Sequence, residues 1–152
     1  MIQIVIEDRD IRKSIPENLK QLLKHILNCI YQPKLYHGSW SESIKKQSNQ
    51  LQKEINRHGY KKVYRIVSST LESAYEESKK LFFIELHNSI QSGKGNPYTE
   101  QEMQSVIPKT ISNLGKDTMY SNFVWTEDTL LNSDNISKFL QKVSEQHSNN
   151  IR

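Results

Sequence analysis

Between Ser14 and Tyr31 the apolar residues Ile15, Leu19, Leu22, Leu23, Ile26, Leu27 and Ile30 recur at three- and four-residue intervals. That spacing puts them on one broad face of an α-helix. So wide a stripe needs cover from more than one neighbour, which makes this helix the centre of a core. Ser14-Ile15-Pro16-Glu17 stands before it as a capping box, in which the Ser14 hydroxyl accepts the Glu17 N–H and the Glu17 carboxylate reaches back. Pro16 in a first turn costs no hydrogen bond, and Pro33 stops the run.

The other elements are read by the same rules. Met1 to Glu7 alternates Ile2, Ile4 and Ile6 with Gln3, Val5 and Glu7, the period of a half-buried strand. Such a strand needs a partner, either within the chain or across a homodimer. Ser39 to Glu42 repeats the capping pattern and opens a second helix that closes at Gly59. Its seam of Ile44, Leu51 and Ile55 is thin, so the helix lies on the surface or packs against a partner. Tyr60 to Ile90 keeps a helical register, although KKVYRIV and KLFFIEL are β-branched and aromatic enough for strands. It is read as mostly helix, interrupted near Ser68 to Thr70. Thr99 to Ile107 is helical up to Pro108, and Lys109 to Leu114 forms a short helix closed by Gly115. Asp117 to Asp128 is an ordered loop or short strand over the core. Asp134 caps a last helix through Ile136, Phe139, Leu140 and Val143, and Ser144 to Arg152 frays. No internal repeat or low-complexity linker is present. The expectation is a mainly α single domain (α+β minor) of about five helices around the central amphipathic helix, with an N-terminal β-strand.

Composition narrows the functional classes. The chain has 152 residues, enough for one core without staples. Ala74 is the only alanine, and Ser, Asn, Lys, Ile and Gln take the place of small residues. That bias fits an AT-rich coding sequence, as in phages and other mobile elements. Cys29 is alone and lies within an apolar run, which excludes an internal disulfide and fits a reducing, cytoplasmic setting. The N-terminus has no basic region before its apolar residues, and no run approaches the ~18 apolar residues of a membrane span.

Three patterns in the chain bear on catalysis or ligand binding. SGKGNPYTEQE, Ser92 to Glu102, has a glycine-flanked lysine, Lys94, but not the GxxxxGK[ST] spacing of a phosphate loop. Thr99 with Glu102 is a capping box whose acids Glu100 and Glu102 repel a phosphate, so the stretch is a turn between helices. His25 and Cys29, four apart, supply only two of the ligands that zinc needs, and His37, His58, His87 and His147 are scattered. No metal and no cofactor are expected. Asp8 and Asp10 after the first strand, with Glu85 and His87, form an unspecific acid-base set without a nucleophile. The protein is expected not to be an enzyme. Residues 99 to 125 have a turn glycine but no recognition helix with outward Arg or Asn, which argues against sequence-specific reading of DNA.

The charge distribution carries the strongest signal. Residues 1 to 65 hold 13 Lys and Arg against 6 Asp and Glu, whereas the rest of the chain is net acidic. From Lys45 to Arg65 the cations Lys45, Lys46, Lys53, Arg57, Lys61, Lys62 and Arg65 meet one acid, Glu54, with Tyr60 and Tyr64 interleaved. Lysine and arginine supply sequence-independent attraction to phosphates, and tyrosines stack on unpaired bases. Lys46, Lys53 and Arg57 share a helical face. The expected function is that of a small non-catalytic accessory protein contacting DNA or RNA without sequence preference, as part of a larger complex. The alternative is a protein-protein interaction module, an inhibitor, immunity or host-modulating factor, that docks its partner through Trp40.

Overall fold

The computed structural model describes the backbone of residues 2–93 and 95–151, and the side chains of residues 10–93 and 95–148. Six α-helices are present among the described residues: α1 (Ile2–Tyr31), α2 (Gly38–His58), α3 (Tyr60–Gln91), α4 (Glu100–Val106), α5 (Glu127–Leu130) and α6 (Ser133–Ile151). Two single 3-10 turns, Pro33–Leu35 and Ile111–Asn113, sit in the connections. The described residues form a mainly α single domain with no strand. No helix among them is long and apolar enough to cross a membrane.

α1 is the central element, as its stripe requires. It packs chiefly against α3 and next against α2, and α6 packs on α2. From Ile26 to Gln32 every residue is buried, so the C-terminal end of α1 is enclosed on all sides. Ile15, Leu19, Leu22, Leu23, Ile26 and Leu27 are all 0% exposed. Burying one such side chain is worth about 1.5–3 kcal/mol, so this stripe alone makes the domain cohere.

The N-terminal strand is not formed: residues 2–7 are the first turns of α1. Met1 lies outside the described residues. The physical reason is the absence of a partner. KKVYRIV and KLFFIEL, the segments with strand character, are both locked into α3, and an unpaired strand would leave its backbone groups without acceptors. Ser14-Ile15-Pro16-Glu17 is therefore not a helix start but lies inside α1, with Pro16 in the helix interior. The bond that Pro16 cannot make belongs to the carbonyl of Arg12, an exposed residue.

α3 runs unbroken for 32 residues, so the interruption expected at Ser68 to Thr70 is absent. The hydroxyls there turn back on their own helix. Ser69 Oγ and Thr70 Oγ1 both donate to the Ile66 carbonyl, at 3.0 and 2.7 Å, which satisfies the polar groups without leaving the helix. α2 begins two residues earlier than its capping pattern suggests, with His37 instead of Ser39 as the cap, because His37 Nδ1 accepts the Ser39 N–H at 3.2 Å. Its thin seam is used internally: Ile44, Ser48, Leu51 and Glu54 are buried. Gly59, at φ 89°, separates α2 from α3, a conformation that glycine adopts without a Cβ penalty.

Phenol hydroxyls pin the segment after α3. Tyr98 Oη accepts the Lys34 N–H at 3.0 Å, Tyr75 Oη donates to the Pro108 carbonyl at 2.7 Å, and Tyr31 Oη accepts the Gly115 N–H at 3.0 Å. Residues 117–126 are turns followed by irregular chain, the ordered loop and not the strand of the two expected forms. They carry Tyr120, Phe123 and Trp125 onto Phe139 of α6, with ring centroids 5.0–5.5 Å apart. The cap of α6 is Asn132 rather than Asp134: its Oδ1 accepts the Asp134 N–H at 2.9 Å, and Asp134 itself lies in the first turn. The helix continues through Ile151. His147 lies against Tyr36 at 4.5 Å, and this contact holds the last turns down.

Candidate nucleic-acid interface

The basic segment is divided by Gly59 between two helices. Lys45, Lys46, Lys53 and Arg57 belong to α2, and Tyr60, Lys61, Lys62, Tyr64 and Arg65 to the first turns of α3. Positions 39, 46, 53 and 57 of α2 are spaced by seven, seven and four residues. They follow one stripe along the helix, and Lys46, Lys53 and Arg57 on it are exposed.

The acid within the segment is turned inward. Glu54 is 5% exposed, 3.6 Å from His58 Nε2 and 3.9 Å from Arg57. Its charge is withdrawn from the surface that the lysines occupy. Lys46, Lys53, Lys61 and Arg65 are exposed and have no carboxylate within 4.0 Å among the described residues. Lys45 is 3.8 Å from Glu42. Lys62 is half-buried.

The tyrosines are less available than the cations. Tyr60 is 44% exposed, but its hydroxyl donates to Asp128 in the first turn of α5. That hydrogen bond to a carboxylate pushes the phenol up to about 12. Tyr64 packs against the core with its ring 6.0 Å from that of Tyr60. Neither tyrosine stands clear as a stacking platform, and the Tyr60 tether could not be read locally because Asp128 is 68 residues away.

Trp40 is half-buried rather than projecting. Its ring meets Tyr36 at 90°, with centroids 6.1 Å apart. It forms one wall of a groove of about 480 Å³ whose other residues include Asn28, Gln32, Glu85, Leu86 and Asn96. α1, the start of α2, the end of α3 and the loop after it all contribute to this groove. It was missed in the sequence. The one signal was local: Asn28 and Gln32 are polar residues that interrupt the apolar end of α1.

The remaining candidate groups do not converge. Cys29 is 1% exposed, and burial pushes its thiol up to about 12, so it is held as the neutral thiol. His25 Nδ1 donates to the Gln21 carbonyl at 2.8 Å, and burial lowers its pKa. No three His, Cys, Asp or Glu side chains among the described residues are grouped to hold a metal. The Asp8 side chain lies outside the described residues, and Asp10 is exposed. Glu85 pairs with Lys24 at 2.7 Å and His87 with Glu100, both acceptors or donors already engaged. Lys94 lies outside the described residues. Around it, Gly93 and Gly95 turn the chain at φ 69° and 68°, and Thr99 Oγ1 accepts the Glu102 N–H at 3.0 Å, as its capping box requires. After α4, of seven residues, the short helix expected over Lys109 to Leu114 is reduced to the single 3-10 turn Ile111–Asn113.

No curated protein and no solved structure matches the chain. A family model described as "Domain of unknown function DUF29" matches residues 6–105, which span most of α1, all of α2 and α3, and most of α4. The basic stripe and the groove walls both lie inside that span, and with more than half of its length matched the chain belongs to the DUF29 family.

Proposed function

We propose that this protein is a non-catalytic accessory protein that holds nucleic acid, DNA or RNA, by its phosphate backbone along the exposed faces of α2 and the start of α3. One observation carries the reading. The segment's sole acid, Glu54, is buried, while Lys46, Lys53, Lys61 and Arg65 are exposed without a carboxylate in reach among the described residues. Unpaired cations on a convex helix surface cost the fold nothing when they are solvated, and they release counterions when phosphate approaches. The tied Tyr60 and packed Tyr64 favour backbone contact over stacking at this corner. The test is binding of generic single-stranded DNA and RNA at low and moderate salt. Steep weakening with salt is expected, and no binding at low salt refutes the proposal.

A protein-docking role has its own support in Trp40, half-buried in a groove with Leu86. In that reading Trp40→Ala abolishes a complex captured from the native host while the free protein stays folded. An intact complex removes Trp40 as the anchor.

A further inference from the structure

The groove beside Trp40 has a polar floor. Asn28, 2% exposed, and Gln32, 6% exposed, are joined by Gln32 Nε2 donating to Asn28 Oδ1 at 3.1 Å. A primary amide offers two N–H donors and a carbonyl acceptor. That single bond therefore leaves N–H groups on both residues and the Gln32 carbonyl uncommitted among the described residues. None of these amide atoms is sealed from solvent without a partner, so they open into the groove, where a ligand can reach them. The floor thus presents donors and an acceptor side by side, suited to a planar ligand with alternating donors and acceptors of its own.

The walls restrict the ligand further. Trp40 supplies an aromatic surface and Leu86 an aliphatic one. Glu85 is the charged group on the rim, and no lysine or arginine among the described residues lines the groove. With Glu85 already paired to Lys24 at 2.7 Å, the groove offers a phosphate no free lysine or arginine, and a neutral heteroaromatic ring needs none. Stacking on an indole with the ring edge read by side-chain amides is how proteins take unpaired nucleobases.

Helical spacing joins this groove to the cations. Ser39, which lines it, occupies the same stripe of α2 as Lys46, Lys53 and Arg57. From position 57 to position 39 the stripe rises about 27 Å. We infer that a single strand lying along Arg57, Lys53 and Lys46 places one unpaired nucleobase in the groove, stacked on Trp40 with its edge on Asn28 and Gln32. The inference rests on the backbone-binding reading for the strand, and the groove alone recognises the base.

The full chain has two tryptophans, Trp40 and the buried Trp125, hence two indole N–H resonances in a nitrogen-correlated proton spectrum. Trp40→Phe assigns them. Uridine and guanosine monophosphates are titrated first, with ribose phosphate as the base-free control, and then a single-stranded oligonucleotide of roughly 12 nucleotides. The expected result is that the nucleotides and the oligonucleotide move the Trp40 resonance and leave Trp125 in place, while ribose phosphate moves neither. Trp40→Leu, checked for an unchanged melting curve, weakens oligonucleotide binding roughly 5- to 150-fold, and Trp40→Phe weakens it less. The variant with Lys46, Lys53 and Arg57 changed to serine keeps the mononucleotide response and loses most oligonucleotide affinity. Oligonucleotide binding with the Trp40 resonance unmoved overturns the base site and leaves the backbone reading intact. Failure of the oligonucleotide to bind at all overturns both. An equal response to ribose phosphate, or a response only to a protein captured from the native host, also overturns the base site.

Discussion

The division of the basic surface between two helices makes the salt dependence of binding a quantitative test. Apart from Lys45, which is 3.8 Å from Glu42, five exposed cations face solvent along it: Lys46, Lys53 and Arg57 on α2, and Lys61 and Arg65 on α3. Each phosphate contact with a single strand contributes about −0.7 to the slope of log K against log salt. If all five engage, the slope is about −3.5, and affinity falls about 130-fold between 50 and 200 mM salt. Replacing Lys46, Lys53 and Arg57 by serine leaves two contacts, a slope of about −1.4 and a fall of about 7-fold over the same interval. Replacing Lys61 and Arg65 leaves three, with a slope of about −2.1 and a fall of about 18-fold. Fluorescence anisotropy of a labelled oligonucleotide, titrated at four or more salt concentrations, measures all three slopes. These residues are exposed, so the variants should melt as the wild type does. A wild-type slope shallower than about −1, or slopes that do not change when the cations are removed, would refute the geometry of the strip.

Other perturbations test the fold that positions it. Gly115→Ala places a Cβ 3.3 Å from the Tyr120 carbonyl oxygen at φ 83°, and should cost at least about 1–2 kcal/mol in urea denaturation. Tyr31→Phe removes the acceptor of the buried Gly115 N–H and should cost about 1–3 kcal/mol by the same measurement. Cys29 should resist thiol reagents in the folded protein and react once it is unfolded. Because its folded pKa is raised by burial from 9.0 to about 12, the unfolded chain sheds that proton first. Stability is then fully retained below pH 9 and declines as pH rises through the window up to about 12. Cys29→Ala should flatten part of that decline in pH-dependent melting curves, and an unaltered curve would place its origin in the buried tyrosines.

Period and capping are local properties, and where the fold depended on them the sequence was legible. The stripe from Ile15 to Ile30 needs only helical spacing to be recognised, and its burial follows from its width. The Thr99 cap and the turns at Gly93 and Gly95 are likewise decided by hydrogen bonds and dihedral freedom within a few residues. The same local rules misassigned residues 2–7 and Ser14 to Glu17. Alternation is compatible with a strand, yet only a tertiary partner makes one, and the partner segments were already spent in α3. The cations of the candidate interface could be named from the sequence alone, because long charged side chains stay in water wherever their helix lies. Which way Glu54 points, whether Tyr60 is free, and what Trp40 faces were settled by packing. Glu54 goes inward because α2 buries that face. Tyr60 is held by Asp128, and the wall opposite Trp40 is built from residues as far along the chain as Asn96. Residue identity along α2 set the charge of this surface, and the docking of α2 against α1, α3 and α6 decided which charges and which aromatic ring remained available to a ligand.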